Sequence, residues 1–197
     1  MRAINFGREI RVNLSAFSFR DRIIVQRQMD KHDFDDRLVR GVSCRCRFGY
    51  PQVVVCHPFC MNRPFPTLFW LTCPYLTYIC GMIESQGGVK DLENYLAERD
   101  VFYNVYNLTY ARMRQTLLSE CEKKVLKLYH PKIWLVIAQS GIGGIRRGKR
   151  PTAKCLHLQT AAFLSLHGHP GLEWFNSHII RYECDNALCT QEQRHSG

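Results

Sequence analysis

RPFPTLFWLTCPYLTYICGMI, residues 63–83, decides how this chain is read. Residues 64–83 carry no charge, are rich in aromatics, and are interrupted by Pro64, Pro66 and Pro74. Leu68, Phe69, Trp70 and Leu71 leave no polar face, so 67–72 predicts a strand buried on both sides. Pro74 suits the first turn of a helix, where its missing amide hydrogen would have no partner in any case. That helix runs to about 85 and stops at Gly87-Gly88. The stretch is about long enough to cross a bilayer. The prolines cut it, however, and Thr67, Thr72 and Thr77 temper its hydropathy. A buried strand running into a buried helix accounts for it better.

Upstream, residues 17–31 predict a helix and residues 38–46 and 52–56 predict strands. Phe48-Gly49-Tyr50-Pro51 supplies the turn of an antiparallel hairpin. Downstream, 89–98 reads as a short helix. Asp100 then caps a long one reaching about 129, with the stripe Tyr110, Met113, Leu117, Cys121, Val125 and Leu128. His130-Pro131 ends it, and 133–138 is a short buried element. Gly141, Gly143 and Gly144 make a turn followed by Arg146, Arg147, Lys149 and Arg150. Pro151-Thr152 opens a helix to about 167, apolar on most sides and hence central. His169-Pro170-Gly171 breaks it, and 172–182 is a last helix. The sum is an α+β fold: a small, mostly antiparallel sheet packed against several helices, in a single domain over 1–197.

A chain of 197 residues buries a core without disulfides or metal to hold it. The formal net charge is +10, which serves solubility or a polyanionic partner. The N-terminus, MRAINFGREIRVN, lacks the apolar core and the cleavage site of a secretory signal. The expected compartment is therefore cytoplasmic, and the ten cysteines are expected as reduced thiols, metal ligands or catalytic groups.

Four motifs follow one another in order: RCRFGYPQVVV (45–55), PFPTLFWLTCPYL (64–76), GIGGI (141–145) and KCLH (154–157). In this the chain resembles the bacterial family called domain of unknown function 501. The resemblance covers about residues 21–175, leaving 1–15 as an N-terminal extension and 170–197 as a helical tail. It implies a small soluble bacterial protein and no particular reaction. The cysteines that match the family pattern are Cys46, Cys73 and Cys155; Cys44, Cys56, Cys60, Cys80 and Cys121 lie outside it.

Those three positions fall at the ends of separate elements. Three thiolates converging from such points suit zinc or an iron–sulfur cluster. His157 is the nearest fourth ligand by sequence. Two positions apart on a helix, Cys155 and His157 face different ways, so they share an ion only if the helix starts later than Thr152. Cys44, Cys184 and Cys189 are the alternatives. The competing reading is of reduced cysteines packed as small hydrophobes.

A second reading makes Cys155 the nucleophile of a thiol-dependent enzyme, activated by a helix start and Lys154. A third makes Gly141, Gly143, Gly144, Arg146, Arg147 and Lys154 a cradle for a phosphate-containing or other polyanionic ligand. A nucleic-acid or ribosome-associated basic module is the broader form of that reading. Arg37, Arg40, Arg45 and Arg47 do not form one stripe, and no motif of the common RNA-binding modules is present. Glu84, the first charge after the uncharged stretch, reads as a lone carboxylate at a helix end.

Overall fold

The computed structural model describes residues 2–5, 11–29, 34–60, 63–146, 148, 150–187 and 189. Its centre is a three-stranded antiparallel sheet in the order β3 (Val39–Arg45), β4 (Pro51–Cys56), β7 (Phe69–Leu71). Val53, Val54 and Val55 of β4 pair with Leu71, Trp70 and Phe69 of β7. Every residue of β4 is buried, because sheet neighbours flank it and apolar layers cover both its faces. That is why its sequence, PQVVVC, shows no polar alternation.

The two-residue period of a strand sorts the side chains between the layers. Val53, Val55, Phe69 and Leu71 point into the larger core, built with helices α2 (Pro74–Ser85), α3 (Gly88–Ala97), α4 (Asp100–Thr116) and α7 (Leu156–Ser165). Val54 and Cys56 face a smaller core with Val25 and Met29 from α1 (Phe19–Gln28) and its C-cap. A third cluster, Leu118, Leu126 and Ile137, joins α5 (Glu120–Tyr129) to α6 (Pro131–Gln139). The fold is therefore α+β, as the sequence predicts.

Residues 2–5 (β1, Arg2–Asn5) and 11–14 (β2, Arg11–Leu14) form an antiparallel pair, which Ser15 joins to β3 through Val42. The short strands β5 (Phe59–Cys60) and β6 (Arg63–Pro64) pair with each other within the connection from β4 to β7. α8 (Leu172–His178) closes the helical side. No helix among the described residues is long and apolar enough to cross a membrane.

Two expectations need correction. The helix expected from 100 to 129 is two helices. Ser119 and Glu122 form a capping box that starts α5, and Arg99 rather than Asp100 is the N-cap of α4. The helix expected from Thr152 starts at Leu156. The Tyr103 hydroxyl donates to the Thr152 carbonyl and the Ala153 amide donates to Glu93. These partners hold the backbone in a non-helical path until Cys155, the true N-cap, at φ −163 and ψ 161.

Candidate metal centre

The late start of α7 puts Cys155 outside the helix and His157 in its first turn, so the two side chains converge. Glu84, in the last turn of α2, completes the group. One donor atom each from Glu84, Cys155 and His157 lies within 4.8 Å of the other two. A carboxylate at a helix C-terminus opposes that helix's dipole, which calls for a tertiary reason. Here the reason is α7: the Leu156 amide, at the first residue of α7, donates to Glu84 Oε1. The carboxylate therefore sits at the positive end of the second helix.

The orientation of His157 follows from its partners. Nε2 lies 3.1 Å from the Thr77 carbonyl oxygen. A carbonyl only accepts, so Nε2 carries the proton. Nδ1 lies 3.1 Å from Glu84 Oε1. Contact with the Cys155 thiol and the negative charge of Glu84 raise the His157 pKa above its ordinary value against the opposing effect of burial. In the cationic form Nδ1–H donates to the carboxylate. In the neutral form its lone pair points into the same space, as a metal ligand requires. Below the pair, Cys80 is fully buried against Thr160, and burial pushes its thiol up to about 11.

Cys46 and Cys73 lie elsewhere. Cys73 is the N-cap of α2, at the opposite end from Glu84. The two positions are eleven apart in the chain, roughly 16 Å along the helix axis. Cys46, Cys73 and Cys155 therefore do not share one ion. Cys155 goes with His157 and Glu84, and Cys73 has Cys184 and Cys189 as neighbours.

The glycine turn is tighter than an open cradle. The amides of Gly141, Ile142, Gly144 and Ile145 donate to Ile145, Asn107, Gly141 and Ile142 respectively. Gly143 and Gly144 take left-handed φ values of 66° and 82°. Arg146, Arg150 and Lys154 are exposed around the turn, and Arg146 and Arg150 line a groove with Tyr103, Asn104 and Asn107. Arg147 and Lys149 lie outside the described residues. In the other basic run, Arg37, Arg45 and Arg47 pair with Asp35, Asp21 and Asp185.

Residues 42–174 match the family described as protein of unknown function (DUF501), and the chain belongs to that family. No curated protein and no solved structure matches it. Glu84, Cys155, His157, Cys46 and Cys73 fall inside the matched segment; Cys184 and Cys189 follow it.

Proposed function

We propose that this member of the family binds a zinc ion between α2 and α7, with Glu84, Cys155 and His157 as ligands. The observation that carries the reading is the convergence of one carboxylate, one thiol and one imidazole nitrogen within 4.8 Å. Soft sulfur and borderline nitrogen select zinc over magnesium or calcium, which take oxygen. The Thr77 carbonyl plays the part of an outer-shell acceptor: it fixes the tautomer and aims Nδ1 at the ion. Three protein ligands leave a fourth position for water or a substrate oxygen. The side chains of His157 and Glu84 are 30% and 25% exposed, so that position is open to solvent. An ion held this way supplies Lewis acidity or an activated water.

The first test is the zinc content of protein purified without oxygen. Substituting Cys155→Ser together with His157→Gln should remove one equivalent of bound zinc. Glu84→Gln keeps an oxygen to accept the Leu156 amide but loses the charge. It should weaken zinc binding by at least the roughly tenfold that outer-shell partners already contribute. Unchanged zinc content in the double variant would overturn the reading.

A second reading draws on the position of Cys155 at the N-terminus of α7 beside His157. In it, Cys155 is a nucleophile and His157 its acid–base partner. The alkylation rate of Cys155 separates the two. A metal-bound thiolate reacts slowly with iodoacetamide until a chelator frees it. A nucleophilic thiolate reacts fast with or without chelator. A slow rate that ignores the chelator sinks both readings.

A further inference from the structure

Four cysteines gather at the far end of α2, where β3 ends, β4 begins and β7 ends. Cys46 follows β3 directly; its amide donates to the Tyr50 carbonyl at 3.0 Å and its carbonyl accepts from Gly49 at 2.8 Å. Cys73 follows β7, and its amide donates to the Gln52 carbonyl at 3.3 Å. The other two come from the tail after α8, which crosses this end of the sheet. Gln52 Nε2 donates to the Tyr182 carbonyl at 2.6 Å. The Arg47 amide donates to Glu183, and its guanidinium donates to the Cys184 carbonyl and Asp185, all at 2.8–2.9 Å. Gln28 of α1 donates from Nε2 to the Pro51 carbonyl at 2.9 Å and to Cys189 Sγ at 3.1 Å.

The thiols are neighbours. Cys73 stands within electrostatic reach of Cys189 and Cys184, and Cys189 within that of Cys46 and Cys184. Cys73, Cys184 and Cys189 are 4%, 7% and 8% exposed, and Cys46 is half-buried. Burial pushes the Cys73 thiol up to about 12, against the pull of the Leu76 and Tyr75 amides at the start of α2. The Gln28 donor likewise favours negative charge on the Cys189 sulfur. Four thiols brought to one end of the sheet, two of them with amide donors aimed at the sulfur, suit a cation between them.

Two further observations point the same way. Gln28 is 8% exposed, and its Oε1 is buried without a hydrogen-bond partner, beside the nitrogen that holds Cys189. Cys184 and Cys189 are separated by four residues, within the spacing of paired thiolate ligands. The tail from Ile179 to Ala187 has no helix or strand of its own. Exposed ion pairs such as Arg47 with Asp185 hold a segment weakly.

We propose that Cys46, Cys73, Cys184 and Cys189 bind a zinc ion as four thiolates, a closed structural site that fastens the tail across the end of the sheet. The thiol protons leave to solvent as the ion enters. No three of these sulfurs lie within 4.8 Å of one another, whereas thiolates around one zinc stand about 3.8 Å apart. Loading therefore draws the sulfurs together, and the irregular tail is the part that moves. This site is independent of the one at Glu84.

The test starts from full-length protein carrying Cys155→Ser and His157→Gln, purified without oxygen, so that the first site is silent. That protein should retain one equivalent of zinc. Exchange with Co²⁺ should give the intense sulfur-to-cobalt charge transfer of four thiolates. Adding Cys189→Ser should weaken Co²⁺ binding and lower the charge-transfer intensity by about a quarter. In wild-type protein, which avoids any folding defect of the variants, a chelator should speed alkylation of Cys184 and Cys189 together at least tenfold. Absence of zinc from the Cys155/His157 variant overturns the proposal. So does a Cys184–Cys189 disulfide in protein kept under reducing conditions, or alkylation of both tail cysteines that ignores the chelator.

Discussion

Three single residues set how this protein should respond to pH. His169 is buried against Tyr106, Phe163 and Phe175, with Nε2 bonded to Gln159 and Nδ1 accepting from the Gly171 amide. Burial lowers its pKa from 6.5 to about 3. Between those values the unfolded chain binds a proton that the folded chain refuses. Stability is therefore full above pH 6.5 and falls as pH drops toward 3, by up to about 1.4 kcal/mol per pH unit. Asp21 adds a second, lower window. Burial pushes its carboxyl up, but hydrogen bonds from Arg45 and Ser18 prevail and hold it at about 2. Its contribution is full above pH 3.8 and lost as pH falls toward 2. His157 has the opposite sign in the metal-free protein: its pKa is raised, so its contribution is complete below pH 6.5 and lost as pH climbs through the raised value. Urea unfolding of His169→Gln at pH 7 and pH 5 should show a lower stability than the native chain at pH 7 and a much smaller loss between the two pH values. An unchanged pH slope would mean that another group carries the acid limb.

At the scale of elements, what was legible in the sequence depended on whether local chemistry and tertiary partners agreed. The junction of β7 and α2 was legible because both signals are local: an unbroken apolar run, then proline at the first helical position. The break between α4 and α5 was also written locally, in Ser119 and Glu122. It was masked by an apolar spacing that runs on through Cys121, Val125 and Leu128. Those three are exposed or nearly so, and Leu126 is the residue that α5 buries. The start of α7 was not legible, because Tyr103, Glu93 and Glu84 decide it from three other helices. With it went the pairing of Cys155 and His157 with Glu84, whose only sequence signal was a carboxylate on the wrong end of a helix. The glycine turn makes the same point and can be tested. At Gly141 the backbone has an ordinary φ of −78°. The glycine is required by contact instead: a Cβ there would stand 2.3 Å from Asn107 Oδ1, the atom that accepts from the Ile142 amide. Gly141→Ala should thus cost about 1–3 kcal/mol by overpacking, read as a lower urea midpoint with unchanged slope. A midpoint equal to that of the native chain would show that the turn yields.

At the scale of the whole molecule, the question is what the surplus positive charge meets. The chain has 27 Lys and Arg against 17 Asp and Glu, and many of the acids are already engaged. Asp21, Asp35, Asp36, Glu183 and Asp185 bind arginines on the sheet side, and Glu93, Glu98, Glu120 and Glu173 bind lysines or arginines on the helices. Among the described residues no carboxylate lies within ion-pair distance of Arg146, Arg150 or Lys154. They stand together around the glycine turn, next to the groove that Tyr103, Asn104 and Asn107 line. Since the turn's own amides are largely spent on the protein, a polyanion there would be held by side-chain charge, and charge of that kind is screened by salt. If these three cations each contact one phosphate of a duplex, affinity should fall about 40-fold between 50 and 200 mM salt. Arg146→Glu with Arg150→Glu should abolish most of that dependence while leaving the urea midpoint unchanged, because both side chains are exposed and bury no core. A filter-binding or anisotropy titration against a mixed-sequence duplex at several salt concentrations decides it. Binding that ignores salt, or no binding at low ionic strength, would leave the positive charge as a solubility feature and remove the polyanion from the account of this protein.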